Sequence, residues 1–454
     1  MTTQFATPAT THRTVRFRLL RPISTAAAGV AVLGCLAVGV APAASASASA
    51  PPATTRVSVD SKGGQATEYR SEPFAASADG RYVAFTSASP NLMPDDTNNT
   101  WDVLVRDRRT GTTSRVSQST VGVVGDSSSY GQSLSPDGRY VSFTSDATNL
   151  VPGDTNGDSD GFVHDRRTGS TSRVTLTNGG TEADARSYAP AISADARFVA
   201  FVSEATNVVP GDTNGVADIF LRDRQAGTTV RVSGTNADAP SDAPAISANG
   251  RYVTFTSEAA LVPGDTNGVA DVFIRDMRTG SLRRVNVSTS GAQANALTVS
   301  PTMSADGRFV AFTSEATNLV SGDTNGVADV FLRDLRAGTT VRASLTADGG
   351  QATGGSSYGP MMSADGRYVV FSSDVTDLVS GDTNGVADVF LRDLGAGTTV
   401  RASLAADGGQ GNDGSYNGVV TRDGRHVAFA SAATNLVPRD TNGVTDAFLR
   451  RMPH

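Results

Sequence analysis

One polar phrase recurs along the chain with the residue types of a cation site. D-T-N-[GN]-x-x-D opens at Asp96, Asp154, Asp212, Asp265, Asp323, Asp382 and Asp440. Its third position holds Asn98, Asn156, Asn214, Asn267, Asn325, Asn384 and Asn442, and it closes at Asp102, Asp160, Asp218, Asp271, Asp329, Asp388 and Asp446. A hard cation such as Ca²⁺ needs several oxygen ligands close together, and Asp-x-Asn spacing wraps side-chain and backbone oxygens around one point. The second copy is the richest, because Asp158 joins Asp154, Asn156 and Asp160. The other copies lack an acid at the fifth position, and none carries the bidentate Glu of an EF-hand. The same residues also close turns without any ligand, since Asp and Asn bond their own backbone and Asn-Gly accepts positive φ. Turn-former and calcium loop are thus the two readings of this phrase, and Ca²⁺ is the one cofactor it suggests.

Catalytic chemistry has little to work with. The four histidines include His12 near the N-terminus and His454 at the last position. His164 stands where the other copies have Arg106, Arg222, Arg275, Arg333, Arg392 and Arg450, and His426 where they have Tyr or Phe, so both read as drift at structural positions. Cys35 is the sole cysteine. There is no ordered Ser–His–Asp set and no His cluster for zinc. Paired acids perform glycoside chemistry, but every Asp singled out belongs to the repeat, and an active site would need an acid that breaks it. No catalytic residue is assigned, and no enzyme is expected.

These residues are placed by a unit repeated seven times. The anchoring phrase runs SADGRYVAFTS (77–87), SPDGRYVSFTS (135–145), SADARFVAFVS (193–203), and so on to TRDGRHVAFAS (421–431). Its arginines are Arg81, Arg139, Arg197, Arg251, Arg308, Arg367 and Arg425, spaced 54 to 59 residues apart. A period of this length implies a solenoid or propeller. Within each copy, residues such as 188–193 read as strand A, 197–203 as strand B with alternating apolar side chains, 218–223 as strand C and 228–233 as strand D. The seventh copy ends after strand C, and ATTRVS (53–58) supplies the missing strand at the other end of the chain. The fold expected is all-β: a seven-bladed β-propeller of four-stranded blades, closed by an N-terminal strand that completes the last blade. The Arg of each DGR and the Arg-Asp ending strand C are expected to form repeated inter-strand ion pairs.

S-x-D-G-R-x-[VI]-x-F, then D-[VI]-F-x-R-D, then T-T-x-R-V-S resembles the WD40-like propeller repeat of the TolB type. TolB itself has six such blades and an N-terminal domain, whereas this chain repeats seven times without one. The resemblance implies an extracytoplasmic, non-enzymatic binding propeller. It does not bring a Tol–Pal role with it, because fold does not fix function.

The segment 1–48 reads as a signal peptide and 49–454 as the single propeller domain. Arg13 to Arg21 is a basic start, Ser24 to Val40 an apolar run, and Ala43 to Ala50 offers Ala-x-Ala cleavage positions. A lipoprotein anchored at Cys35 is the alternative. The first fifty residues hold four Arg and no acid, so the remainder has 34 basic residues against 45 acidic ones, a net charge of −11. That charge repels nucleic acid. Connectors between strand D and the next strand A vary most between copies, and on a propeller they share one face with the B–C loops. The function expected is a secreted, monomeric scaffold that binds a protein or a cell-surface glycan through that face. A calcium-dependent adhesive module comes second, and a propeller lyase or glycosidase third.

Overall fold

The structure, a computed structural model, describes residues 53–234 and 237–453; the expected signal peptide and Cys35 lie outside them. Each repeat folds into one antiparallel sheet of four strands, and seven such sheets form the ring. Blade 3 is typical, with strand A over Ser187–Ile192, B over Phe198–Ser203, C over Asp218–Asp223 and D over Thr228–Arg231. No helix among the described residues is long and apolar enough to cross a membrane.

The repeating phrase explains the blade. Apolar residues on strands B and C face their partners, so Phe201 pairs with Phe220 across the ladder and their rings stack at 5.7 Å. Both are fully buried, and the same Phe–Phe pair recurs in blades 2 and 4 to 7. Offset aromatic pairs of this kind add about 0.5–1.5 kcal/mol beyond the area they bury. The aromatic after each DGR packs against the next blade. Tyr82 lies so close to Gly138 that a Cβ there would sit 2.2 Å from its ring, and Gly138 also needs φ +72°. Blade 3 departs, with Ala196 holding φ 55° in the glycine's place.

The DGR arginines meet the last Asp of strand C, as expected. Arg81 grips Asp107 at 2.9 and 2.5 Å, and the guanidinium holds that carboxyl well below the usual carboxylate range. The pair recurs in blades 2 to 6. In blade 7, Arg451 replaces the Asp, and Arg425 turns to Asp423 at 3.6 Å. Strand C arginines stitch neighbouring blades together. Arg222 donates to Thr229 Oγ1 and to the carbonyls of Leu176 and Thr177 in the preceding connector.

The ring closes as the sequence predicts. Thr54–Arg56 joins the seventh sheet as its outermost strand, with Thr54, Thr55 and Arg56 opposite Arg450, Leu449 and Phe448. One expectation is corrected. Strand D was expected over 228–233, and its N-terminal counterpart over 53–58, but the ladders stop at Arg231 and Arg56. The next two residues turn inward, because Val232 is fully buried and the Ser233 hydroxyl donates to Asp218 rather than continuing the strand.

Candidate functional site

The D-T-N-[GN]-x-x-D loops bring their first and last acids together around a guanidinium from strand D. Arg231 reaches Asp212 at 2.8 Å and Asp218 at 3.4 Å, and all three side chains are buried. The arrangement recurs as Arg342 with Asp323 and Asp329, Arg401 with Asp382 and Asp388, and Arg284 with Asp265 and Asp271. Arg56 does the same across the closure with Asp440 and Asp446. Arg115 does so in blade 1 with Asp102 at 2.8 Å and Asp96 at 3.9 Å. The closing Asp has a second partner two residues beyond the arginine: Ser117, Thr175, Ser233, Asn286, Ser344, Ser403 or Ser58. The central Asn braces the loop. Asn214, Asn267, Asn325, Asn384 and Asn442 donate to the closing Asp, and Asn98 donates to the Gly125 carbonyl. A monovalent, permanently charged fork thus stands between the carboxylates that a Ca²⁺ ion would need.

Blade 2 differs. Asp154, Asp160 and Glu182 place one carboxylate oxygen each within 4.8 Å of one another, and Asn156 donates to Asp160 and to the Ala183 carbonyl. Asp158 is exposed and is not part of this cluster; its backbone N–H donates to Asn156. Glu182 takes the position of a glutamine in the connectors at Gln65, Gln293, Gln351 and Gln410. Arg173 binds all three acids, lying 3.6 Å from Asp154 and 3.1 Å from Asp160 and pairing with Glu182. Burial pushes Asp160 up to about 6 against the pull of Thr175 and Arg173, and does the same to Asp102 in blade 1.

The histidines take structural places. His164 is buried with Nδ1 2.9 Å from Thr171 Oγ1, and burial pulls its imidazole down to about 4, which leaves it neutral. His426 packs on Gly80 in the next blade's turn.

A second site lies where the inner strands of the blades meet. The innermost strands end at the mouth of the central channel, on the face of the D–A and B–C loops, around a cavity of about 570 Å³. Each inner strand carries an irregularity in its register. At these bulges Ala189, Ala243, Ser300 and Asn417 hold φ of 52–55°. Backbone held in this region persists only where its surroundings enforce it, and it clusters at functional sites.

Blade 1 supplies the charged groups at this mouth. Arg70 bonds Glu72 at 3.0 Å and lies 5.4 Å over the Trp101 ring. Trp101 meets Tyr130 of blade 2 at 6.3 Å and 34°. Asn417 of blade 7 donates to Glu72 at 3.3 Å. These residues escaped the reading of the sequence, although Trp101 breaks the repeat outright and Glu72 departs from most copies. Trp101, the only tryptophan, stands where the other copies have Ser159, Ala217, Ala270, Ala328, Ala387 and Thr445. Glu72 stands where four copies have Tyr130, Tyr188, Tyr358 and Tyr416 and blade 4 has Asp242. Arg70 stands in a variable column, where blade 3 also has an arginine, Arg186, and others have Ser128, Pro240 and Gly414. Aligning the copies would have picked out Trp101 and the acid at Glu72.

No family model and no curated protein matches the chain. Solved structures do. An oligogalacturonate lyase from Vibrio parahaemolyticus superposes with a TM-score of 0.54 at 12% identity, over 88% of this chain and 94% of that one. The β-propeller domain of the Trilobed protease from Pyrococcus furiosus, described as an open velcro topology, matches with a TM-score of 0.50 at 11% identity over 80% and 90% of the two chains. TolB from Acinetobacter baumannii matches with a TM-score of 0.38 at 15% identity over 83% and 82%, too slight a likeness to argue from. At these identities the solved structures show what this chain shares with them, the fold of a β-propeller.

Proposed function

We propose that this protein is an exported, non-catalytic binding propeller that takes a glycan or protein ligand at the mouth of its central channel. One observation carries the reading: Trp101, which no other copy has, Glu72, whose column holds an acid otherwise only at Asp242, and Arg70 converge on one cavity of about 570 Å³. Loops and pockets held by a rigid scaffold are where binding function is placed. Export is supported by the basic and apolar segments of residues 13–50. The absence of catalysis is supported by the lining of the cavity. Glu72 is the one carboxylate lining it, tied to Arg70, no His, Lys or Cys lines it, and the flanking Asp242 accepts the Ala243 backbone N–H. General acid–base chemistry on a glycoside needs a second group. The acidic loops are read as structural, with arginine in the place of Ca²⁺.

The test is capture from cell envelope and culture medium by the wild type and by Trp101→Ala, alongside turnover assays on generic ester, peptide and polysaccharide substrates. Capture that depends on Trp101, with no turnover, supports the reading. Turnover abolished by Glu72→Gln makes the protein an enzyme and overturns it.

A further inference from the structure

We infer that the mouth of the channel binds a neutral carbohydrate chain, an inference that rests on the binding reading above and narrows its ligand. Trp101 and Tyr130 form an aromatic corner with ring centroids 6.3 Å apart, and Tyr130 is 42% exposed. Rings with an apolar face and a polar edge suit the C–H faces and hydroxyl rims of sugars. Beside them, Arg70, Glu72 and Asn417 form a linked fork of planar donors and acceptors, with Arg70 exposed and Glu72 half-buried. Carboxylate, guanidinium and amide together offer the directional bonds that hydroxyl groups need.

The charge selects a neutral ligand. The Arg70 cation is already paired with Glu72, the exposed Asp242 flanks Ala243 of the lining, and the chain beyond its basic start carries −11. A uronate or phosphate polymer would meet net repulsion there. The backbone disfavours a peptide. An extended peptide would add to the inner strand edges, but those edges are broken by bulges and by Pro73, Pro190, Pro244, Pro301 and Pro360. Proline and bulges block strand addition. A cavity of about 570 Å³ lies within the roughly 300–1,000 Å³ of small-ligand sites. The enforced backbone at Ala243, Ser300 and Asn417 keeps it shaped in advance.

The experiment is affinity electrophoresis of the full mature chain through gels containing β-glucan, xylan, galactomannan or polygalacturonate. Wild type, Trp101→Ala, Tyr130→Ala and Glu72→Gln are compared after their melts are checked, so that one misfolded variant does not decide the result. At least one neutral polymer should retard the wild type without being shortened. Loss of either aromatic should weaken binding about tenfold or more. Retardation by polygalacturonate alone overturns the neutral ligand but leaves the channel-mouth reading standing. No retardation by any polymer, with Trp101-dependent capture of a protein in the assay above, overturns the carbohydrate and again leaves that reading. No retardation and no capture overturns both, and a shortened polymer overturns the non-catalytic reading while keeping the sugar site.

Discussion

Replacing Arg173 with alanine should turn a self-contained ion cluster into a calcium site. The guanidinium serves Asp154, Asp160 and Glu182, whose carboxylates converge within 4.8 Å. Removing one partner of a buried ion pair costs about 3–5 kcal/mol, because the remaining charge stays buried and unpaired. For a domain of roughly four hundred residues, an unfolding entropy of about 2.1 cal/mol/K per residue converts this into a Tm about 4–6 °C lower. Three converging carboxylates without their cation then suit Ca²⁺. Ion at about 100 times its Kd returns roughly 2.7 kcal/mol, which is about 3 °C. The assay is differential scanning calorimetry at pH 7.5 in calcium and in chelator, with Arg231→Ala as control. Arg231 serves only Asp212 and Asp218, so that variant should lose stability with much weaker rescue. The wild type should melt alike in both buffers. Equal stabilisation of the wild type by calcium, or a variant that melts with the wild type, refutes the idea that arginine is the loop's cation.

Deleting Ala53 to Asp60 should strip the closing strand from blade 7 and remove Arg56 from Asp440 and Asp446. At roughly 1 kcal/mol per lost hydrogen bond the cost is about 3–6 kcal/mol, and the bared edge should self-associate; a monomer with unchanged Tm by light scattering and melting would count against closure. Ala196→Gly should stabilise the protein by about 1 kcal/mol, since φ 55° strains alanine and not glycine, and a lower Tm would contradict this. Acid should act in two opposite steps. Asp102 and Asp160, raised by burial to about 6, bind a proton more tightly folded than unfolded, so they favour the fold as pH falls from about 6 to about 4. Asp223 and Asp334, held near 2 chiefly by Arg197 and Arg308, contribute stability above about 4 that is lost as pH falls toward 2. Denaturant midpoints should therefore peak near pH 4–5, and a steady decline from pH 7 downward would refute the assignment.

Much of the fold is legible in the sequence because each blade repeats its own instructions. Asp-Gly turns, the Val and Phe of strand B and the D-[VI]-F of strand C act within about thirty residues, and the copies reinforce one another. The missing strand D was readable for the same reason. The acidic loops were legible as turns but not as ion clusters, because their cation lies on strand D, 13 to 19 residues on in most blades and at the opposite end of the chain for Arg56. Asp158 looked like a ligand by spacing alone, and the structure instead places Glu182 beside Asp154 and Asp160. The mouth of the channel was not legible at all from any one stretch. Arg70, Glu72, Trp101, Tyr130 and Asn417 come from three blades, and only ring closure brings blade 7 beside blade 1.

Trp101 is the chain's only tryptophan and sits at the proposed site, so its emission reads the central claim directly. Titrating the mature protein with the ligand isolated by capture, or with the polysaccharide that retards it, should shift and saturate that emission at the affinity found by calorimetry, and should shield the ring from acrylamide quenching. Heat of binding with an unmoved emission and unchanged quenching would place the ligand elsewhere on the propeller and contradict the account.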